Sequence, residues 1–522
     1  MISRKAAYVA GAICLYLGAA FIYAPVVSDH PFAYDEADYM WAGTQGLLAN
    51  YSGRHGISFV EFVRKGLELS RDPGKRQSFS DYIRSSGDID FYRHYHGPMY
   101  VYWLALLHDA GARGENAFRG GSLAIHFATA TLILFGMWAV FPSLPPVAAL
   151  LACALFTFNR SALSAGTMIT QHVLFTFFCV ASLLACSLFL RNLESRWFYA
   201  AMALLACSFC TVETSALLVL ALGVSLIVEH RRVREKWPTL KAFAGLLGRG
   251  IGVFILTMLV CWPMGILKLG VAKGFLGLLY IAVYRKTFSP LSPLGLWAGE
   301  LRESPWEFWL LIAGVAAALI LWRGFAQRRE LLPWLAFIAV FFVVMLKVTV
   351  PYTYYYAPLT AAFTVAAGVA FGILWNRGRW PARAGILVAV VASVVGMTIP
   401  LRRTMVQAKA ATAYQTPVLR VIAEHPIGES RTLYVPYQLV PTLHFYYPDI
   451  KTVGYDFDFP LPRLADGLES GSAAGIMFCE AFFCDGLERQ IPGFAAKKIL
   501  LERSGPNGQP FYLVQLRKYG SF

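Results

Sequence analysis

Charge is what this sequence has least of. Only 15% of its 522 residues are Asp, Glu, Lys or Arg, against 57% hydrophobic, where soluble domains carry about a quarter charged. That shortage excludes an ordinary soluble enzyme and leaves a polytopic membrane protein. Several chemical signatures are missing too. There is no GxxxxGK[ST] loop, no HExxH and no GxSxG, so ATP-driven transport and the common hydrolase chemistries lack their residues. The nine cysteines supply no pair of CxxC motifs, and seven lie in apolar runs, which argues against a zinc site.

The charge that is present is lopsided, with a net of +15. A nucleic-acid partner does not follow, because many of the Lys and Arg residues sit in short loops between apolar runs, where they set topology. About eleven spans of roughly 20 residues can be laid along the chain, near 6–27, 116–140, 146–164, 169–190, 197–211, 213–229, 250–268, 305–322, 331–349, 354–375 and 383–400. The third, fifth and sixth are short or broken. The first begins after Arg4-Lys5 and ends in Phe21-Ile22-Tyr23, a poor cleavage site, and reads as a retained helix. With alternating spans, Arg4-Lys5, Arg191 to Arg196, Arg231 to Lys236, Arg323 to Arg329 and Arg377 to Arg383 share one side, which the positive-inside rule makes cytoplasmic. Segments 28–115, 269–304 and the tail from 401 then face outward.

The fold class expected is therefore an α-helical polytopic membrane protein with short interfacial helices in the first outer loop and a small C-terminal α/β soluble domain. Two domains follow, a transmembrane one over 1–400 that includes the outer loop 28–115, and a tail over 401–522. Asp35 to Leu48 and Pro98 to His108 are too short to span and carry Trp41 and Trp103 as aromatic anchors. In the tail, 431–435, 498–501 and 511–516 read as strands and Pro417 to Glu424 as a helix, within about 120 residues, an ordinary domain size. Cys479 and Cys484 would meet an oxidising compartment, where a disulfide is one outcome and two free thiols the other.

Chemistry concentrates at the lip of the first span. Asp35, Glu36 and Asp38 stand just beyond it, and carboxylates near hydrocarbon must be wet, paired or working. Asp35 followed by Asp38 also resembles a capping box, which explains both without catalysis. A second cluster, Asp88-Ile89-Asp90-Phe91-Tyr92-Arg93-His94-Tyr95-His96-Gly97-Pro98, mixes carboxylates and imidazoles before an interfacial helix. It suits a divalent ion or a proton transfer, or simply a polar loop at headgroup depth. Asp35, Asp88 and Asp90 are the candidate metal ligands. Asp456-Phe457-Asp458 has the Asp-x-Asp form of nucleotide-sugar enzymes, but lies on the wrong side for nucleotide sugars.

The order of these features resembles the GT-C glycosyltransferases: a first helix, an outer loop with Asp-Glu, a His-x-Pro before an aromatic helix, and an Arg at the start of the next span. More narrowly, it is similar to the bacterial branch related to protein mannosyltransferases and lipid A aminoarabinose transferases. That family's His-Pro-Pro becomes His96-Gly97-Pro98 here, and its arginine falls on Arg119. The resemblance implies transfer of a sugar from a polyprenyl-phosphate donor to an acceptor hydroxyl, with inversion, at the periplasmic face of a bacterial inner membrane. Asp35 would be the general base, with Glu36 as helper or metal ligand. Substrate contacts would come from His94, His96, Arg119, Arg285, Lys286, Lys347 and Tyr356, with Lys268 and Lys273 as further cations for the donor phosphate. Some relatives carry Thr-Lys at the end of a middle span, where this chain has Thr211-Val212-Glu213, which makes Glu213 a polar lining residue instead. Implied partners are the lipid-linked sugar, membrane lipids and an envelope glycan, lipid or protein acceptor. A divalent metal ion is the one cofactor in question. The alternative is a transporter or flippase of a lipid-linked substrate. It would favour charged residues and broken helices at mid-membrane in repeated halves, and no convincing repeat is visible.

Overall fold

A computed structural model describes residues 4–23, 27–32, 35–52, 96–263, 305–345, 353–413, 415–424, 432–436, 440–455, 476–480, 494–503 and 510–518. Among them, four helical stretches are long and apolar enough to cross a bilayer: α5 (Glu115–Val140), α8 (Gln171–Asn192), α12 (Leu240–Cys261) and Tyr354–Arg377, which contains α15 (Ala357–Arg377). Ahead of α5 come α1 (Arg4–Tyr23), α2 (Asp35–Thr44), α3 (Leu47–Ser52) and α4 (Met99–Asp109). The two short interfacial segments read from the sequence thus appear as α2 with α3, and as α4. Shorter apolar helices stand at Val9–Tyr23, Glu213–Val228, Trp309–Gly324 and Arg383–Met397.

Four expected spans take a different form. Residues 146–164 are not one rod but α6 (Pro146–Thr157) and α7 (Arg160–Thr167), bent by 59°. The cause is Asn159, whose side chain accepts from the Ala162 N–H at 3.1 Å and so starts a new helix instead of extending the old one. The pair at 197–229 becomes α9 (Ser195–Phe209), a single 3-10 turn at Glu213–Ser215, and α10 (Ala216–Val228). Buried hydroxyls of Ser208 and Ser215 bond across that break at 2.8 Å. The span placed at 250–268 begins earlier, because Thr239 caps α12 through the Ala242 N–H at 3.1 Å, on the far side of α11 (His230–Lys236).

The bundle packs around α15, whose residues from Ala357 to Ala370 are buried throughout. Few polar side chains interrupt it, so close helix approach must come from small residues. Gly368 rests on α6 where an added Cβ would sit 2.7 Å from the Ala152 Cβ, and Gly372 does the same against Ala148 at 2.8 Å. On the other side, Gly314 of α13 (Pro305–Leu321) faces Ala367, with only 2.4 Å between a hypothetical Cβ and that alanine's own. Trp334, from α14 (Arg328–Met345), is fully buried and donates its indole N–H to Ser187 of α8 at 3.0 Å.

Beyond α15, α16 (Trp380–Ala413) runs 34 residues without a break, so the domain boundary read at 400 falls inside a helix. The tail then contributes α17 (Gln415–Glu424), β1 (Thr432–Pro436), α18 (Val440–Tyr446), β2 (Lys451–Tyr455), β3 (Ile476–Glu480), β4 (Phe494–Arg503) and β5 (Pro510–Lys518). The five strands form one mixed sheet in the order β2-β1-β3-β5-β4. β1 pairs parallel with β2 and β3, while β3–β5 and β5–β4 are antiparallel, with a register irregularity between Lys498 and Leu500. The disulfide considered for Cys479 and Cys484 lies outside the described residues, as does Asp456-Phe457-Asp458.

The glycine contacts give a direct test of the packing. At Gly314 the obstructing atoms include the Ala367 backbone Cα at 2.8 Å, which cannot swing aside. Gly314→Val is expected to lower stability by about 1–3 kcal/mol, read as a drop in thermal midpoint in detergent, whereas Gly223→Ala, with open space around it, should not.

Candidate active site

α2 begins at Asp35, which places Asp35, Glu36 and Asp38 in its first turn, where the helix dipole favours negative charge. Successive helical positions point about 100° apart, so the two neighbouring carboxylates face different surroundings. Glu36 is buried at 3% exposure, while Asp35 is exposed.

Glu36 meets Arg119, from the second turn of α5, in a fork-to-fork pair. Arg119 donates through Nε to Oε1 at 3.1 Å and through Nη2 to Oε2 at 2.6 Å. Its Nη1 donates to the carbonyls of Ser28 and His30 at 2.8 and 2.7 Å, and Nη2 also reaches the Pro31 carbonyl at 3.4 Å. A guanidinium has five N–H donors, and all are committed. The Phe32 ring covers the group at 5.3 Å. Glu36 Oε1 additionally accepts from the Ile169 N–H at 2.9 Å, just ahead of α8. One buried ion pair thus ties together α2, α5, the chain leaving α1 and the approach to α8. This corrects two expectations, because Glu36 and Arg119 are spent on each other and are not open to a substrate.

The tail reaches the same place. Thr442 Oγ1 donates to the Phe32 carbonyl at 2.9 Å, and Tyr446 Oη accepts from the Phe32 N–H at 2.9 Å while donating to Glu115 at 2.6 Å. Phe445 and Tyr446 pack on the Phe32 ring, and His444 lies against Trp41 at 5.2 Å. α18 therefore braces the loop that the arginine holds.

Asp35 points the other way. It is solvent-accessible at its surface, with protein close around it on the other sides. That enclosure pushes its carboxyl above the ordinary carboxylate range; the nearby His96 pulls it down and Glu36 pushes it up further. His96 donates from Nδ1 to Glu213 Oε2 at 2.9 Å, both side chains being about one-eighth exposed at 12%. Behind them stands His172, in the first turn of α8, its ring 4.3 Å from Tyr355 and 5.2 Å from Tyr354. Tyr39 lies within the electrostatic reach of Asp35, Glu213, Tyr354 and Tyr355. Asp35, His96, Glu213, His172 and the two tyrosines form one polar cluster.

Gly97 explains why the middle residue of the His-x-Pro motif differs here. The His96–Pro98 strip lies on the end of α9, and the Met99 N–H bonds to the Cys210 carbonyl at 3.0 Å. A Cβ at Gly97 would fall 2.1 Å from that carbonyl carbon and oxygen, so no larger residue fits. The contact also sets His96 opposite Glu213, three residues after Cys210.

Other expected site residues fall elsewhere. Tyr356 is buried in the bundle core at 3% exposure, and its neighbours Tyr354 and Tyr355 take the place it was given. His94, Asp88, Asp90, Lys268, Lys273, Arg285, Lys286 and Lys347 lie outside the described residues. Among the described residues no three His, Cys, Asp or Glu side chains converge as a metal site. His172 was missed by the sequence reading. Its signal was present, since a histidine inside an otherwise apolar span is costly without a partner or a task.

The chain is similar to known proteins in sequence over part of its length and in overall fold. Residues 95–249 match the sequence model of the dolichyl-phosphate-mannose-protein mannosyltransferase family. The structure is similar to ArnT from Cupriavidus metallidurans bound to undecaprenyl phosphate, with a TM-score of 0.61 at 12% identity over 96% of this chain and 97% of that one. The chain has the GT-C glycosyltransferase fold. It is also similar to the oligosaccharyltransferase AglB from Archaeoglobus fulgidus in complex with an inhibitory peptide and a dolichol-phosphate, with a TM-score of 0.53 at 11% identity over 98% of this chain and 74% of that one. No curated protein matches at the sequence level. The GT-C resemblance read mainly from the first 120 residues is borne out.

Two substitutions test the architecture of the site. Arg119→Met leaves Glu36 buried without its partner, and is expected to cost about 3–5 kcal/mol, visible as a lowered thermal midpoint of the full chain; Arg119→Met with Glu36→Leu should recover part of that loss. Gly97→Ala is expected to cost about 1–3 kcal/mol by overpacking, measurable as a lowered thermal midpoint of the full chain in detergent.

Proposed function

We propose that this protein transfers a sugar from a polyprenyl-phosphate donor to an acceptor hydroxyl on the periplasmic face of a bacterial inner membrane. The observation that carries the reading is the split between the two neighbouring acids. Glu36 is consumed by a buried ion pair, while Asp35 is accessible, enclosed and raised in basicity beside the His96–Glu213 pair. Support also comes from the fold, which is shared with proteins whose structures hold undecaprenyl phosphate or dolichol-phosphate.

In this reading Asp35 accepts the proton of the acceptor hydroxyl as that oxygen attacks the anomeric carbon, and the lipid phosphate leaves from the opposite side. One displacement inverts the anomeric centre. A raised carboxyl suits the task, because a stronger base takes more of the proton in the transition state. Glu36 and Arg119 act as positioning residues, since they fix the helix turn on which Asp35 sits. His96, held by Glu213, and the tyrosine pair at 354–355 form the polar wall facing the acceptor oxygen. Negative charge growing on the leaving phosphate requires cations, and Arg285, Lys286 and Lys347 are the proposed source. The chain running from α16 into the mixed sheet is placed outside the membrane, where α18 braces the catalytic loop. The sugar is a hexose or pentose, and the acceptor an envelope glycan, lipid or protein. A divalent ion, if one takes part, would be held by Asp35 with Asp88 and Asp90.

The test is an assay of purified protein against a panel of polyprenyl-phosphate sugars. Asp35→Asn is expected to reduce turnover by about 10²–10⁴-fold. In the wild type, activity should fall as pH drops through the raised Asp35 value, above the roughly 3.9 of a free aspartate. The stability sign runs opposite. A carboxyl raised in the folded state stabilises the fold below its unfolded value, and that stability is lost as pH rises through the folded value. Asp35→Asn should therefore leave the thermal midpoint at pH 7 unchanged or higher. A variant that keeps full activity, or that loses stability as a broken helix cap would, defeats the reading.

A further inference from the structure

A buried imidazole beside the site is left unused by the proposed reaction. His172 stands in the first turn of α8 at 3% exposure. Its backbone is employed, since its N–H donates to Thr170 Oγ1 at 3.5 Å and its carbonyl accepts from Thr176 Oγ1 at 2.7 Å. Its ring is not. Nδ1 is buried and meets no hydrogen-bond partner among the described residues. Gln171, the preceding residue, is equally buried at 3% exposure, and its Oε1 likewise meets no partner among the described residues. Folded proteins bond about 90% or more of their buried polar groups, so two such atoms in one turn are a departure that calls for a cause.

The surroundings place this turn at the site. Ile169, just ahead of it, donates its N–H to Glu36 at 2.9 Å, so the turn is held by the same ion pair that fixes Asp35. The His172 ring lies 4.3 Å from that of Tyr355 and 5.2 Å from that of Tyr354. Both tyrosines are partly exposed, and their rings stack on each other at 5.0 Å. Chemistry then specifies the partner. An amide oxygen only accepts, so it needs a ligand group that donates. Ionised phosphate and carboxylate oxygens only accept as well, which removes the donor's phosphate and any acidic substituent. An ammonium donates, but the positive end of the α8 dipole opposes a cation there. A hydroxyl both donates and accepts, and suits the amide oxygen and the imidazole nitrogen alike. Successive helical positions point about 100° apart, so one ligand that meets both atoms must carry several hydroxyls.

We propose that Gln171 and His172 form the subsite for the hydroxyls of the donor sugar, with Tyr354 and Tyr355 as the apolar surface for its ring. The inference rests on the sugar-transfer reading above and deepens it by naming an uncharged, hydroxyl-bearing sugar. A turn of the half-exposed tyrosine rings, a common kind of adjustment on binding, opens Nδ1 to the polar cluster around Asp35. Each hydroxyl then completes a hydrogen bond that the described protein groups leave unmade, so the sugar gains affinity while the lipid phosphate does not. A site built on such bonds discriminates sharply against a sugar that lacks the hydroxyl. Gln171 and His172 bind and select; the proton transfer stays with Asp35.

The experiment measures binding and turnover by the full chain in detergent. The probes are bare decaprenyl phosphate and decaprenyl phosphate carrying glucose, mannose, arabinose or ribose, with deoxy and amino analogues of whichever sugar binds best. Two variants keep side-chain bulk and remove the polar atoms, His172→Phe and Gln171→Leu. Each is expected to weaken binding of the sugar-bearing lipid about 3–10-fold, to leave bare decaprenyl phosphate unchanged, and to raise KM more than it lowers kcat. One deoxy analogue should bind wild type and His172→Phe equally, which a merely structural role would not produce. Equal loss for bare and sugar-bearing lipid overturns the assignment. So does unaltered sugar binding in either variant, or an amino sugar preferred over its hydroxyl counterpart. Where Asp35→Asn still removes turnover, the sugar-transfer reading stands in each of those cases. If wild type binds no sugar-bearing lipid better than bare decaprenyl phosphate and turns none over, that reading falls and the inference with it.

Discussion

The Glu36–Arg119 pair is the constraint on which the rest of the site depends. Removing two ions from water costs several kcal/mol each, and only good geometry with every donor and acceptor filled offsets it. Here the filling is supplied by backbone from distant parts of the chain: carbonyls at 28, 30 and 31, and the N–H of Ile169. None of these groups can move without exposing a buried charge. The loop leaving the first helix, the start of α2 and the entry to α8 are therefore held as one body. Asp35 inherits its position from that body, since it immediately precedes Glu36 on the same helical turn.

A second constraint acts from across the site. His96 is placed by the seating of Gly97 on the Cys210 carbonyl, a contact that exists only because residue 97 lacks a side chain. Glu213 arrives at the same point because α9 stops at the Ser208–Ser215 contact and the chain turns once before α10. The two residues are separated by 117 positions in sequence and by 2.9 Å in space. Breaks in the helices are thus what bring polar groups to the wall. An unbroken span at 197–229 would have carried Glu213 into hydrocarbon.

Much of this was legible in the sequence, and the parts that were not have physical reasons. The order of features around Asp35, His96, Pro98 and Arg119 was enough to indicate the GT-C fold, because membrane placement and spacing survive where identity does not. Roles were harder. Glu36 and Asp35 are adjacent carboxylates, and no local pattern tells which is buried, since burial is decided by Arg119 more than eighty positions away. Tyr354, Tyr355 and Tyr356 are likewise indistinguishable by type. Only the start of α15 determines which of them turns into the core. The bend at Asn159 was readable in principle, as an Asn in an apolar run is an N-cap before it is anything else. Glu213 stood out by its departure from the family pattern, whereas His172 was hidden by the apolar sequence around it.

Asp35 also separates two explanations that share its position. A carboxylate serving mainly as a helix cap accepts hydrogen bonds from the first-turn N–H groups, and those bonds lower its proton affinity. The opposite holds at Asp35, where enclosure by protein outweighs the pull of His96 and the carboxyl moves up. Its charge is therefore a burden on the fold at neutral pH. The neighbouring Glu36 shows that the chain can neutralise a buried acid here when the structure needs one, with a guanidinium at 2.6 Å. Asp35 is left without such a partner among the described residues, exposed and beside an imidazole. A group held at a cost to stability, and supplied with access instead of a counter-ion, is arranged to exchange a proton.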